Sequence, residues 1–151
     1  MQPIDVALEA AHAAASIIRD GTKSTLRVHH KGAIDMVTQV DLAAEECIRN
    51  ILSKHTPDVP ILAEEGGGAM TARTRWIVDP LDGTTNYVHG YPSYAVSIAL
   101  EVDGRLEAGC VYDAANGVPY TAVKGQGARC RDEVLSVSPV CLLYTSDAAD
   151  E

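Results

Sequence analysis

Residues 76–86, with the sequence WIVDPLDGTTN, contain the residue types needed to bind a metal ion beside an anion. Asp79 and Asp82 are three positions apart and follow three apolar residues that are typical of a buried strand. Pro80 lies between them and fixes φ without offering a ladder donor, so we expect the strand to stop and the chain to turn there. Carboxylates gathered at a strand end suit a hard divalent cation such as Mg²⁺.

The polar segment after Asp82 suits the anion. Gly83 allows the backbone to approach a ligand closely. If a helix or tight turn begins there, its free N–H groups would favour a phosphate group. Carboxylates beside an anion require cations between them. The stretch therefore predicts a site where divalent ions bridge acidic side chains and phosphate.

A second acidic strand end lies upstream. Residues 60–63 form a short apolar run, and Glu64 and Glu65 follow it before three consecutive glycines. A glutamate pair in this position is more often a solvated loop end. Its likeness to the end of the strand at Asp79 favours a different interpretation, in which the two strands deliver acids to one shared cation site.

Composition limits the classes of function. The chain has 151 residues, 46% of them hydrophobic and 22% charged, which is ordinary for one globular domain. A formal charge of −9 argues against a nucleic-acid or anionic-membrane partner. The sequence contains neither a secretory signal pattern nor an apolar run near the roughly 20 residues of a membrane span. We expect reduced thiols and a cytoplasmic location, because no CxxC pair occurs among the four cysteines. These are Cys47, Cys110, Cys130 and Cys141.

Two helices are expected in the first third of the chain. Residues 4–18 have apolar positions at helical spacing, with Gly21 as a possible C-cap. Residues 38–55 give a second helix, for which Thr38 and Asp41 resemble a capping pattern. On spacing alone Asp41 is more often a helix-start carboxylate than a catalytic one.

The later part of the chain predicts an antiparallel meander. Residues 94–112 alternate in a period of two around an Asp103-Gly104 hairpin turn. Asn116-Gly117 marks a second turn before a strand at residues 118–123, and residues 134–137 could add another. The fold class is therefore α+β, with a helix pair packed on one face of an antiparallel sheet.

The last eleven residues differ in sequence pattern from the rest of the chain. Residues 141–151 neither continue nor end a periodic element, and they resemble translated sequencing-adapter read-through. They carry three acids and no base, so without them the formal charge of −9 becomes about −6. We assign residues 1–140 to the domain and expect residues 141–151 to be a non-native tail.

The motifs at residues 61–65 and 79–86 together resemble the inositol monophosphatase family. Further matches are residues 35–38 with Asp41, residues 95–98, and residues 111–113 followed by 125–128. The resemblance runs from about residue 4 to residue 138. It implies the first half of a layered α/β/α/β/α sandwich.

The resemblance also implies an activity. Members hydrolyse a phosphate monoester, most directly inositol 1-phosphate to inositol and phosphate, with Mg²⁺ and an activated water. Glu64 and Asp79, with the Leu81 carbonyl, would bind a first Mg²⁺; Asp79 and Asp82 would bind a second. Glu64 would also serve a third, weakly held ion.

The remaining site residues follow from the same resemblance. Thr84, hydrogen-bonded to Asp41, and Glu64 would orient and activate the water. The substrate would contact Glu64, the Leu81–Asp82 segment and the N–H groups of Gly83 and Thr84. Lys31 would lie on a loop nearby. No covalent nucleophile is needed or evident.

The chain departs from the family in its length. Members are longer, and their second half supplies another Asp to the second metal within a Trp-Asp motif. Trp76 is the only Trp here and belongs to the first motif. We therefore expect a truncated chain with an incomplete second metal site and a parent enzyme that is a homodimer. The alternatives are a bisphosphate nucleotidase, another sugar-phosphate phosphatase, or a non-catalytic fragment or regulatory binding module.

Overall fold

The computed structural model describes residues 1–25, 33–63 and 71–139, with the side chains of residues 23–25 and 33–38 left out. Two long helices, α1 (Pro3–Thr25) and α2 (Ala33–His55), precede the sheet. A short helix, α3 (Thr84–Val88), interrupts the strands. Within these described ranges, seven strands form one sheet and follow one another in space in chain order. They are β1 (Ile61–Ala63), β2 (Thr74–Asp82), β3 (Ala95–Val102), β4 (Arg105–Asp113), β5 (Val118–Val123), β6 (Gly127–Cys130) and β7 (Glu133–Leu135).

The sheet confirms the predicted fold class. Every neighbouring pair from β2 to β7 is antiparallel. The β1–β2 pair is parallel, so the sheet is mixed at one edge. Both long helices pack on the same face, with α1 over β3, β4 and β5 and α2 over β2. The helix pair on a largely antiparallel sheet is therefore as the sequence predicts.

The core lies between the helices and this face of the sheet. Alternate residues of β2, β3 and β4 point into it, and α1 contributes mainly alanines. Small side chains let the helix approach the sheet and α2 closely. Trp76 is fully buried, and its Nε1–H donates to Thr56 Oγ1 at 2.9 Å, which fixes β2 to the end of α2.

Both helices are longer than the sequence predicts. Gly21 lies inside α1 and not at a C-cap. A Cβ there would lie 2.5 Å from Tyr87 Oη and 2.6 Å from Val40 Cγ2, so close packing explains this glycine. Thr38 likewise lies inside α2. Once a helix has nucleated, each added residue gains a hydrogen bond, so a capping side chain alone does not fix its start.

The turns agree with the sequence, whereas one strand was missed. Asp103 and Gly104 have φ values of 50° and 74° between β3 and β4, as a two-residue hairpin requires. Gly117, with φ 69°, serves the turn before β5. Strand β6 is not among the predicted strands, because residues 127–130 are few and half-exposed and carry no apolar alternation. No helix within the described ranges is long and apolar enough to cross a membrane.

Candidate active site

The C-terminal end of β2 carries the acidic residues of the first motif. The strand does not stop at Pro80 as predicted; it continues to Asp82, and its pairing with β3 shifts between Asp79 and Asp82. Such an irregularity re-aims side chains at a sheet edge. Asp79 is half-buried, whereas Asp82 is exposed at the last strand position. The two carboxylates therefore leave the same strand end in different environments.

Hydrogen bonds within this segment hold its oxygens in place. The Leu81 N–H donates to Asp79 Oδ1 at 3.2 Å. The Thr84 hydroxyl donates to the Leu81 carbonyl oxygen at 2.9 Å. Each acceptor has further lone pairs. To a metal ion, the segment thus offers carboxylate and carbonyl oxygens as ligands and no nitrogen or sulfur ligand.

Gly83 makes the turn from β2 into α3. Its φ of 87° and ψ of 32° lie in the left-handed region that favours glycine. A Cβ at this position would lie 2.8 Å from the Ser93 carbonyl oxygen. The helix then begins at Thr84, and the Tyr87 N–H donates to the Gly83 carbonyl oxygen at 3.0 Å. Of the two alternatives that the sequence left open after Asp82, a helix or a tight turn, the structure has a helix.

Helix α3 is fixed by contacts that the sequence did not indicate. Tyr87 is buried, and its hydroxyl donates to the Ile18 carbonyl oxygen of α1 at 3.1 Å. Its ring meets Tyr94 edge to face, with centroids 5.1 Å apart. Asn86 Nδ2 donates to the Ser93 carbonyl oxygen at 2.8 Å. The only sequence signal for this arrangement was an aromatic residue one turn into the helix.

Asp41 is half-buried on α2, and α2 contacts α3. The helix carrying Asp41 therefore lies against the helix that begins with Thr84. In this structure the Thr84 hydroxyl donates to Leu81. A hydrogen bond between Thr84 and Asp41 stays a prediction.

Glu64 and Lys31 lie outside the described residues. What the structure does show is the register before the glutamate: Ala63 pairs with Val78 across the parallel β1–β2 ladder. These two residues immediately precede Glu64 and Asp79 in the sequence. Among residues 1–25, 33–63 and 71–139, no group of three or more His, Cys, Asp or Glu side chains is placed to hold a metal ion.

Two hollows open at the strand ends. One has a volume of about 400 Å³ above β1 and β2 and includes Asp79 in its lining. The other measures about 510 Å³ and is lined by Asp82, Gly83 and Asn86 together with Asp113 at the end of β4. One hollow therefore opens beside Asp79 and the other beside Asp82.

Two of the described cysteines are poorly suited to act as nucleophiles. Burial raises the pKa of the Cys110 thiol to about 12, and burial also raises the pKa of Cys47 above its usual 9.0. A thiol with a raised pKa stays protonated near neutral pH and is a poor nucleophile. Cys47, Cys110 and Cys130 are free thiols, which agrees with the predicted absence of disulfides among them.

Comparison with known proteins gives consistent matches. The family model described as "Inositol monophosphatase family" matches residues 1–148 and so extends into residues 141–151. Inositol monophosphatase 3 of Solanum lycopersicum is 42% identical over 142 residues, which is 91% of this chain and 53% of that protein. Nus factor SuhB of Pasteurella multocida is 41% identical over 138 residues, or 89% and 52% of the two chains.

Solved structures give the same result. The extragenic suppressor protein suhB from Bartonella henselae superposes with a TM-score of 0.80 at 38% identity, covering 90% of this chain and 54% of that one. The chain thus spans about half the length of the relatives it matches.

Proposed function

Because the chain belongs to the inositol monophosphatase family, we propose that it carries the metal- and phosphate-binding half of a Mg²⁺-dependent phosphatase. The reaction is hydrolysis of a phosphate monoester, with inositol 1-phosphate as the foremost substrate. The observation that carries the proposal is the end of β2. There Asp79, the Leu81 carbonyl and Asp82 directly precede the left-handed Gly83 and the start of α3.

The donor set fits Mg²⁺. Hard cations take carboxylate and carbonyl oxygens, and every donor in this segment is an oxygen. Glu64, Asp79 and the Leu81 carbonyl would hold one ion, and Asp79 with Asp82 would hold a second. Glu64 would also serve a third, weakly bound ion. The parallel register of Ala63 with Val78 supports bringing Glu64 and Asp79 together.

When bound, the cations supply charge compensation for the phosphoryl group and lower the pKa of a coordinated water. The chain's own residues position the reactants. Glu64 accepts a proton from the attacking water, and the Thr84 hydroxyl, assisted by Asp41, orients it. This is general-base assistance to direct attack, and it requires no covalent intermediate.

Phosphate contacts come from the backbone. The N–H groups of Gly83 and Thr84 lie at the first positions of α3, where no earlier carbonyl of the helix accepts from them. Their partial positive charge favours a phosphate oxygen. Asp82 lies exposed next to these donors and would contact a substrate hydroxyl.

The second half of the domain completes this site. In the family, that half brings a further Asp to the second metal, so the chain by itself holds one metal well and the second poorly. The full-length parent is a cytoplasmic homodimer in this proposal. Residues 1–140 are the incomplete domain, and residues 141–151 are a non-native tail.

The test uses residues 1–139 fused to the part of tomato inositol monophosphatase 3 that follows its matched region. We expect Mg²⁺-dependent phosphate release from inositol 1-phosphate. Asp79→Asn should lower kcat/KM at least about 100-fold, because it removes a ligand charge between two cations. Asp58→Asn, an exposed acid in the loop before β1, is the matched control and should leave the rate unchanged.

A second pair of variants tests whether the Thr84 hydroxyl has a specific role in the reaction or only adds polarity to the site. Thr84→Ala should lower kcat about 10- to 100-fold, since water positioning is lost. Thr85→Ala removes the neighbouring exposed hydroxyl and should have little effect. Full activity of Asp79→Asn, or equal losses at Thr84 and Thr85, would refute the assigned roles.

Three alternatives are distinguished by the same fusion. Faster hydrolysis of adenosine 3′,5′-bisphosphate than of inositol 1-phosphate would identify a bisphosphate nucleotidase; preference for another sugar phosphate would widen the class. A relative named as a Nus factor supports a second candidate, a regulatory binding module. Absence of any phosphatase activity in a folded fusion that binds Mg²⁺ would favour that candidate.

A further inference from the structure

Two consecutive residues of α1 are hydrogen-bonded to two different segments near the turn at Gly83. The Ile18 carbonyl oxygen accepts from the Tyr87 hydroxyl of α3 at 3.1 Å. Arg19 Nη1 donates to the carbonyl oxygen of Ala114, directly after β4, at 3.3 Å. One turn of a long helix therefore holds both α3 and the segment that follows β4.

The two segments are also joined to each other through Tyr94. The buried Ala114 donates its N–H to the Tyr94 carbonyl oxygen at 3.1 Å. The Tyr94 ring meets the Tyr87 ring edge to face, with centroids 5.1 Å apart. These contacts form a closed network, the Arg19 network, which runs through Ile18, Tyr87, Tyr94, Ala114 and Arg19. In such a network each contact restrains the others, so the loss of one loosens its neighbours.

The Arg19 network reaches the turn at Gly83 through the backbone of Tyr94. A Cβ built on Gly83 would lie 3.2 Å from Tyr94 Cα and 2.8 Å from the Ser93 carbonyl oxygen, so these backbones are in direct contact. Asn86 of α3 also donates to the Ser93 carbonyl oxygen at 2.8 Å. The position of the Tyr94 backbone therefore limits the position of Gly83 and of the first N–H groups of α3.

The hydrogen bonds of Arg19 favour a geometric role for its side chain. Arg19 is half-buried, and within the described part of the chain it donates to two neutral acceptors, the Ala114 carbonyl oxygen and, at 3.2 Å, the Ser16 hydroxyl. Ser16 in turn donates to the His12 carbonyl oxygen at 3.0 Å, which leaves its lone pairs for the guanidinium. A planar guanidinium suits this arrangement, because its donors have a fixed geometry and bind two acceptors at once.

We infer that Arg19 is a positioning residue for the turn at Gly83. It holds the segment after β4, and through Tyr94 it holds the N–H groups proposed to receive phosphate. This role rests on the proposed function only in its effect on hydrolysis. The network joins α3 and the segment after β4, whereas the proposed metal ligands lie on β2 and at Glu64, so loss of Arg19 should alter phosphate binding more than metal binding.

Hydrogen exchange of the full chain tests the structural part of this role. Arg19→Met keeps a long apolar stem and removes every donor. The Ala114 N–H bonds within the network, and the Tyr87 N–H bonds to the Gly83 carbonyl oxygen. We expect both amide protons to exchange about 3- to 10-fold faster, as the loss of one hydrogen bond predicts, while amides in the middle of β3 keep their rates.

Arg49→Met is the matched control. Arg49 is a half-exposed arginine on α2, and its Nε pairs with Glu45 at 2.7 Å, outside the Arg19 network. The variant should leave exchange at Ala114 and Tyr87 unchanged. Urea unfolding of both variants measures the loss of global stability, so that local opening at these amides can be separated from unfolding of the whole chain.

Kinetics of residues 1–139 fused to the second half of tomato inositol monophosphatase 3 test the functional part. Arg19→Met should raise KM for inositol 1-phosphate about 3- to 10-fold. It should leave kcat, and the Mg²⁺ concentration that gives the half-maximal rate, within about twofold. A purely structural loss would instead lower kcat at unchanged KM, because fewer molecules would be active. Arg49→Met should change neither KM nor the Mg²⁺ requirement.

Attraction of the anionic substrate by the charge of Arg19 would also affect KM, and salt distinguishes the two causes. The Debye length falls from about 10 Å at about 0.1 M salt to about 3 Å at about 1 M, so such an attraction is screened at high salt. We expect the ratio of the two KM values, Arg19→Met to wild type, to be the same at both concentrations. A ratio that falls to one at high salt overturns the positioning role.

The positioning role is also overturned if Arg19→Met leaves exchange at Ala114 and Tyr87 unchanged, or if Arg49→Met has the same effects. A fusion without phosphatase activity, in a chain where Arg19→Met still accelerates exchange at Tyr87, would support the positioning of the turn and count against the proposed function. An active fusion whose KM is unchanged by Arg19→Met would do the reverse. The two proposals therefore fail independently.

Discussion

At the scale of single residues, the site depends on backbone geometry as much as on carboxylates. Asp79 and Asp82 are useful only if the chain turns sharply after them and exposes its N–H groups. Gly83 makes that turn possible in two ways, by its left-handed φ and by the absence of a side chain facing Ser93. An anion site of this kind therefore has a steric requirement that a list of acidic residues does not show.

The steric requirement at Gly83 can be measured against Gly90. Both have positive φ, 87° and 69°, but a Cβ at Gly90 meets nothing within 4 Å. Gly90→Ala should lower the free energy of unfolding by about 1 kcal/mol, the strain of the left-handed region alone. Gly83→Ala should lower it by about 2–4 kcal/mol, because its Cβ also meets backbone atoms. Urea unfolding of the full chain gives both values, and equal losses would show that the contact with Ser93 is unimportant.

Cys110 gives a pH-dependent prediction. Its pKa is raised from 9.0 to about 12 in the folded chain by burial. Above pH 9 the unfolded thiol ionises while the folded one stays neutral, so unfolding releases a proton and stability falls as pH rises. Relative to Cys110→Ala, the wild type should lose about 1 kcal/mol between pH 8 and pH 10. Denaturant unfolding at the two pH values measures the difference, and a difference that does not change with pH would contradict the assignment.

At the scale of elements, sequence patterns predicted the strands and turns that depend mainly on neighbouring residues. The alternation in β3 and β4 and the Asp-Gly and Asn-Gly turns placed the meander nearly to the residue. Features set by tertiary contact were not predictable. The sequence predicts Gly21 as a helix cap, whereas in the structure Tyr87 and Val40 pack against it inside α1. Likewise β6 exists because β5 offers it a pairing edge, and its own sequence gives no strand signal.

The attachment of α3 to α1 can be tested by removing a single hydroxyl group. Tyr87→Phe removes the hydroxyl that donates to Ile18 and keeps the ring against Tyr94. It should lower the free energy of unfolding by about 0.5–1.5 kcal/mol, the net value of a typical buried hydrogen bond. Tyr91→Phe is the control, since Tyr91 is 64% exposed and should change stability by less than about 0.5 kcal/mol.

Hydrogen exchange gives a second measurement for the same variant. Amide protons of α3 should exchange faster in Tyr87→Phe, while those of β3 and β4 stay protected. Uniform acceleration across the chain would show that the hydroxyl stabilises the whole fold and has no local effect on α3.

At the scale of the whole molecule, the sequence predicts the part of the candidate site that lies on one segment and leaves the rest to the fold. Residues 79–84 form a candidate because the acidic residues and the turn are adjacent in sequence. The relation of Asp41 to α3 depends on how α2 packs, which no spacing reveals. The side of the sheet on which Asp79 lies likewise comes from strand register.

The extent of the native domain is the remaining whole-molecule question. Residues 141–151 differ from the rest of the chain in their sequence pattern, although the family model matches as far as residue 148. Among the described residues the last strand, β7, ends at Leu135, and the buried core residues all precede that point in the sequence. Deleting residues 141–151 should therefore change the free energy of unfolding by less than about 0.5 kcal/mol. It should also bring the formal charge from −9 to about −6.

Two measurements evaluate this deletion. Urea unfolding compares residues 1–140 with the full chain, and the fusion to the tomato second half is prepared from each. Because the tail precedes the junction in the longer fusion, eleven foreign residues there would separate the two halves of the domain. We expect the shorter fusion to be at least as active as the longer one. A loss of more than about 1 kcal/mol on deletion, or lower activity of the shorter fusion, would show that these residues belong to the domain.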